Sequence, residues 1–174
     1  MYENLFSLDG RVALITGASR GIGRAVARGL AEAGADVVMT ARSEKDLELA
    51  ADEIRAAVTG RVEYYPVDML DRADVDKLSK AVLRDFGSVD VLINNAGANH
   101  PQTLVETTDI NWDAMIELNL TSQMRLTRAL APQMVARGWG RVIYTSSIMA
   151  FASNHARGIY SATKAGLVGM MRAQ

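Results

Sequence analysis

The feature that most constrains this chain is Arg11-Val-Ala-Leu-Ile-Thr16 running directly into Gly17-Ala-Ser-Arg-Gly-Ile-Gly23. A short, nearly unbroken apolar run predicts a strand buried on both faces. Ile22, Val26, Ala27, Leu30 and Ala33 then recur at helical spacing, and Gly34 supplies a stop. A strand, a glycine-rich turn and a helix in succession make an anion site. The first-turn N–H groups of a helix lack intrahelical partners, and its N-terminus carries about half a positive charge. Both suit a pyrophosphate, and glycine is needed where φ is positive or a phosphate approaches the backbone. The pattern T-G-x-x-x-G-x-G, with Gly17, Gly21 and Gly23, is therefore read as a dinucleotide cradle.

The rest of the chain repeats this alternation. Strands are expected at Asp36–Thr40, Val62–Val67, Val89–Asn94 and Arg141–Thr145. A helix capped by Ser43 runs to about Val58, with Leu47, Leu49, Ala50 and Ile54 on its apolar side. Further helices are expected from Asp71 to Phe86, from Trp112 to about Arg137, and from Gly158 onward. Alternating strands and helices imply right-handed crossovers and a parallel sheet: an α/β, doubly wound, Rossmann-like fold with helices on both faces. The dinucleotide-binding version of that fold uses six strands, and only five are found. Residues 1–174 are thus expected to be a single dinucleotide-binding domain, incomplete at its C-terminal end and lacking the last one or two strands.

Composition removes several other functions. With 19 Lys+Arg against 20 Asp+Glu there is no electrostatic drive toward nucleic acid or acidic membranes. Zero cysteines excludes disulfides and thiolate chemistry and fits a reducing, cytoplasmic setting. The two histidines, His100 and His155, are too far apart for an imidazole metal site, so no metal is expected. No basic n-region precedes an apolar stretch, and no apolar run is long enough to span a bilayer.

The end of the second strand bears on the cofactor's ribose. A carboxylate there would bond a 2′-hydroxyl, whereas arginine accommodates a 2′-phosphate. Ala41 and Arg42 occupy those positions, Arg20 adds a second cation from the glycine loop, and Glu44 is the competing reading. NADP(H) is favoured over NAD(H) because the guanidinium fork pairs with phosphate oxygens.

Tyr160 and Lys164 are four apart on an expected helix and so share a face. A lysine cation ~5 Å from a phenol favours phenolate by about 3 kcal/mol at an effective dielectric of 20. That pairing makes a general acid/base for a carbonyl or alcohol. Ser147 lies thirteen residues before Tyr160, past the fifth strand at the carboxyl edge where such sheets bind ligands. Its hydroxyl suits a substrate oxygen, while Ser146 packs or caps. Tyr144-Thr-Ser-Ser-Ile148 is no G-x-S-x-G elbow, which removes a serine-hydrolase reading.

These residues together resemble the classical short-chain dehydrogenase/reductase family. The motifs are Thr16-Gly-Ala-Ser-Arg-Gly-Ile-Gly23, Asp68, Asn94-Asn-Ala-Gly97, Asn119, Ser147 and Tyr160-Ser-Ala-Thr-Lys164. The resemblance implies a catalytic set of Asn119, Ser147, Tyr160 and Lys164. Tyr160 would exchange a proton with the substrate oxygen, Ser147 would position that oxygen, and Lys164 would also hold the nicotinamide ribose. Asn119 would support a water relay to the lysine. Cofactor contacts would come from Gly17, Ser19, Arg20, Gly21, Ile22, Gly23, Arg42, Asp68, Asn95, Ala96 and Gly97, with Tyr160 and Lys164. Among classical members the chain looks most like the gluconate-type and 3-oxoacyl reductase groups. The partner implied is a small alcohol or ketone, and the family usually forms homotetramers. A catalytically silent nucleotide-binding or regulatory module on the same scaffold is the alternative.

Overall fold

The computed structural model describes residues 5–173. Five parallel strands form one sheet in the order β3-β2-β1-β4-β5: β1 (Val12–Thr16), β2 (Asp36–Ala41), β3 (Val62–Pro66), β4 (Val91–Asn94) and β5 (Arg141–Tyr144). The order reverses between β1 and β4. That switch point opens a crevice at the carboxyl ends of the strands. Thr16 stands level with Thr40, and Ile15 with Ile93, so the functional loops leave the sheet at one height.

The residues of β1 are all buried, as a central parallel strand requires. They alternate between two cores. Ala13 and Ile15, with Val37, Met39 and Ile93, meet helices α1 (Gly21–Glu32) and α2 (Glu44–Arg55) through Ala27, Leu47 and Ile54. Leu14, Val38 and Leu92 meet α3 (Arg72–Phe86) and α5 (Ser122–Ala136) on the other face, through Leu78, Val82, Leu126 and Leu130. β3 is an edge strand, and Pro66, which lacks a ladder donor, is tolerated at its end.

Some expectations are corrected. The helix expected from Trp112 starts three residues earlier, because the Thr108 hydroxyl accepts from Asn111 N at 3.3 Å and caps α4 (Asp109–Ile116). It is also not one regular helix. A π-turn, Glu117–Thr121, separates α4 from α5. Ser43 caps α2 as expected, accepting from Asp46 N, but that helix stops at Arg55 rather than Val58. Leu49 and Ile22, assigned to apolar faces, are 56% and 66% exposed. Leu49 lies off the buried stripe of Leu47, Ala50 and Ile54, and Ile22 opens onto the crevice. A 3-10 turn, Ile148–Ala150, follows β5, and α6 (Gly158–Arg172) bears Tyr160 and Lys164. No helix among the described residues is long and apolar enough to cross a membrane. Residues 1–4 and Gln174 lie outside the described residues.

Candidate active site

The crevice at the switch point is a cleft of about 930 Å³. Its lining includes Gly17, Ser19, Arg20, Gly21, Ile22, Arg42, Asn95, Ala96, Gly97, Tyr160 and Lys164, which the sequence nominated. Ala41, Ser43, Asp46, Val67, Met69, Ala98, Asn99, Leu118 and Thr145 also line it. Gly23, Asp68, Asn119 and Ser147 are not part of that wall, and each is fixed by a specific contact.

Gly23 is a packing glycine. A Cβ there would reach Asn95 Nδ2 at 2.6 Å and collide with the Gly17 carbonyl. Gly21, by contrast, has φ of +57° and nothing near its missing Cβ, so its backbone is open to a ligand. The caps sharpen this difference. Ser43, Asp71 and Thr108 satisfy first-turn N–H groups of α2, α3 and α4 with their side chains. The first turn of α1 has neither a side-chain cap nor an acidic residue. Its free donors and positive dipole end face an open glycine floor.

Two cations flank that floor. Arg20 and Arg42 are exposed, and neither has an ion-pair partner among the described residues. Most arginines here are paired, Arg24 with Glu53 and Arg72 with Glu117 among them. Asp68 accepts from Leu70 N at 3.0 Å, a local turn bond that fixes the bend between the lining residues Val67 and Met69.

Asn95 ties three strand ends together. Its Nδ2 donates to Thr16 O at 3.0 Å and Gly17 O at 3.3 Å, and its Oδ1 accepts from Thr145 Oγ1 at 3.2 Å. Thr16 Oγ1 in turn accepts from Asn95 N and Ala96 N, both at 2.9 Å. The loop from Asn95 to Ala98 is further held by Gln123 Nε2, which donates to Ala96 O at 2.9 Å. Neither Thr16, Thr145 nor Gln123 was singled out from sequence for these bonds. Their partners are 27 or more residues away, beyond any local spacing rule.

Tyr160 and Lys164 do share a face of α6. The lysine Nζ lies 5.5 Å from the centroid of the phenol ring. Lys164 is only 3% exposed, and Nζ donates to Thr145 O at 2.7 Å. Burial disfavours its cation and pulls its pKa below the usual lysine value. Ser146 Oγ donates to Lys164 O at 3.1 Å, a packing bond that anchors α6 to the end of β5. Ser147 Oγ accepts from Met149 N at 3.1 Å, capping the 3-10 turn and leaving its own hydrogen free to donate. The Asn119 side chain is fully engaged. Its Oδ1 accepts from Ala98 N, and its Nδ2 donates to Ala98 O, each at 2.9 Å, and to Thr163 Oγ1 at 3.3 Å.

The sequence pattern of the short chain dehydrogenase family matches residues 11–174. The chain belongs to that family. It is 37% identical over 166 residues to the 3-oxoacyl-(acyl-carrier-protein) reductase FabG of Escherichia coli K12, covering 95% of this chain and 66% of that protein. It is 40% identical over 167 residues to the 2-dehydro-3-deoxy-D-gluconate 5-dehydrogenase of Pseudoalteromonas atlantica, covering 95% of this chain and 65% of that enzyme. The chain thus spans slightly less than two thirds of the length of these relatives. Its fold superposes on a metagenomic short-chain oxidoreductase in complex with NADP, with a TM-score of 0.92 and 40% identity. That match covers 95% of this chain and 75% of the other. A 3-oxoacyl (acyl-carrier-protein) reductase from Agrobacterium tumefaciens C58 with NADP bound gives 0.94 and 33%, covering 100% of this chain and 67% of that one.

The family binds nicotinamide dinucleotides, and the residues present fit one. The open floor at Gly21, the uncapped start of α1 and the unpaired Arg20 and Arg42 form one continuous anionic-ligand surface leading to Lys164 and Tyr160.

Proposed function

We propose that this chain acts in an NADP(H)-dependent oxidoreductase that interconverts a secondary alcohol and a ketone. The observation that carries the reading is the cleft itself: it joins an uncapped helix start over a glycine floor to a phenol–ammonium pair. First-turn N–H groups of α1 would hold the pyrophosphate, and Arg20 with Arg42 a 2′-phosphate. Two of the similar structures are NADP complexes, which supports the same choice. Bound there, the nicotinamide supplies the hydride donor or acceptor.

The chain's own residues manage the proton. In the reducing direction Tyr160 donates its phenolic proton to the substrate oxygen, and in oxidation it takes that proton back. Ser147, whose oxygen already accepts from Met149 N, directs its hydroxyl hydrogen at the same substrate oxygen. Lys164 balances the negative charge left on the phenol oxygen, from a buried position where that charge is poorly screened. Asn119, held by Ala98 and Thr163, supports a water relay to Lys164, and Asp68 contacts the adenine. Residues 1–174 serve as one dinucleotide-binding domain of a cytoplasmic homotetramer. Exposed Ile110, Val135 and Met171 lie on the long helical segments that would meet other subunits.

The relatives act, by name, on 3-oxoacyl groups and on a deoxy sugar acid, so both are substrates to try. The test is ketone reduction by the purified chain with NADPH, using a short 3-oxoacyl thioester and a keto sugar acid. Turnover that Tyr160→Phe abolishes supports the reading. Turnover indifferent to that change overturns it, and nucleotide binding without turnover favours the silent module.

A further inference from the structure

A π-turn inserts one extra residue into a helix, weakens its ladder, and persists only where something outside the helix holds it. Here the turn spans Glu117–Thr121, with Asn119 at its middle and fully buried. On its inner side Asn119 bridges Ala98, in the cofactor-lining loop, to Thr163. Thr163 Oγ1 donates to Tyr160 O at 2.8 Å, so the bridge ends on the turn of helix that presents the phenol. Ser122 Oγ, on the first residue of α5, donates back to Leu118 O in the widened turn at 2.9 Å.

The outer side is gripped as well. Glu117, the first residue of the π-turn, accepts on Oε2 from Arg72 Nε at 3.0 Å and Nη2 at 2.6 Å. Arg72 is the first residue of α3 and comes 45 positions earlier in the chain. Its side chain is 61% exposed, while that of Glu117 is 15% exposed, so the carboxylate has little water to turn to. One turn beyond the π-turn, Arg125 Nη2 meets Asp76 of α3 at 2.5 Å. The start of α3 therefore holds the irregular segment on both flanks.

We propose that Arg72 and Glu117 are positioning residues: their ion pair fixes the register of the π-turn so that Asn119 connects the cofactor loop to the catalytic tyrosine's turn. Released from Arg72, the segment relaxes toward a regular helix. Asn119 then rotates away from Ala98, because each residue of an α-helix advances by about 100°. The catalytic meaning of this device rests on the dehydrogenase reading above. Its structural meaning does not.

The Ala98 amide reports the device directly, since it donates to Asn119 Oδ1. Hydrogen exchange measured by NMR on the whole chain is expected to show about five- to tenfold faster exchange at Ala98 in Glu117→Gln and in Arg72→Ala, with Leu14 in β1 unchanged. Arg72 is largely exposed, so its replacement leaves folding intact. In ketone reduction the same variants lower kcat by about tenfold while KM for NADPH moves much less, because a small misplacement costs the chemical step. Arg72→Lys, which keeps the charge and one donor, restores part of both signals. Unchanged Ala98 exchange in both variants, with exchange still accelerated by Asn119→Ala, overturns the proposal. If the unsubstituted chain reduces no ketone, the proposed activity fails, and the exchange comparison still decides the role of the pair.

Discussion

The two sides of the cleft are built differently. The nucleotide side grows from β1 and β2, whose interior residues are buried on both faces, and its glycine loop is packed against Asn95 without slack. The acid–base side is carried by the end of β5 and by α6. Ile159, Leu167 and Val168 of α6 are buried, and specific polar bonds fix its placement: Lys164 to Thr145 O, Ser146 to Lys164 O, and Asn119 to Thr163. Changes in the packed glycine loop should therefore cost stability together with binding, whereas changes to the exposed cations flanking it should cost binding alone. Changes on the acid–base side should cost chemistry and leave the fold alone.

The largest effect should come from Tyr160→Phe. Loss of a general acid/base costs about 10²–10⁴-fold in kcat. The affinity for NADPH, measured by fluorescence, should stay within about twofold, since only a hydroxyl is lost. Lys164→Met comes next, raising the pH optimum of turnover and weakening NADPH binding. It also removes a buried cation, so urea denaturation should register less than about 1 kcal/mol of change. A larger loss would mean that the lysine is part of the fold.

Gly23→Ala tests the opposite side. Alanine improves helix propensity by about 1 kcal/mol, but overpacking costs typically 1–3 kcal/mol. The new methyl meets the Gly17 backbone, which has no room to yield, so the clash wins. The chain should lose net stability in urea and bind NADPH poorly. A stable Gly23→Ala protein with normal binding would erase the contrast between the two sides. Arg42→Asp should leave stability unchanged and lower the preference for NADPH over NADH by about tenfold, one charge-assisted contact being about that strong.

The smallest effect lies away from both sides. Tyr65 Oη donates to Asp85 Oδ2 at 2.7 Å. Burial, then the bond to Asp85, pushes its pKa up to about 12. A group whose folded pKa is raised contributes stability that is intact below pH 10 and is lost as pH rises toward 12. Tyr65→Phe should therefore flatten the fall in melting temperature across that window, with NADPH binding unaffected.

Much of this was legible in sequence, and the remainder failed for physical reasons. The strand–glycine–helix opening and the Tyr160–Lys164 spacing are local patterns, and the structure brings both to one cleft. The π-turn was not legible, because Asn119 and Glu117 are held by partners 21, 44 and 45 residues distant. Ile22 fitted the helical stripe of α1, yet its place at the first turn, above the glycine floor, turns it to the cleft.

The central claim is that the cleft is organised in advance for a 2′-phosphorylated dinucleotide. Calorimetric titration of the purified chain with NADPH and with NADH, at one ionic strength, tests it most directly. NADPH should bind at least about tenfold more tightly. Equal affinity, or no heat from either nucleotide with the chain demonstrably folded, would contradict it.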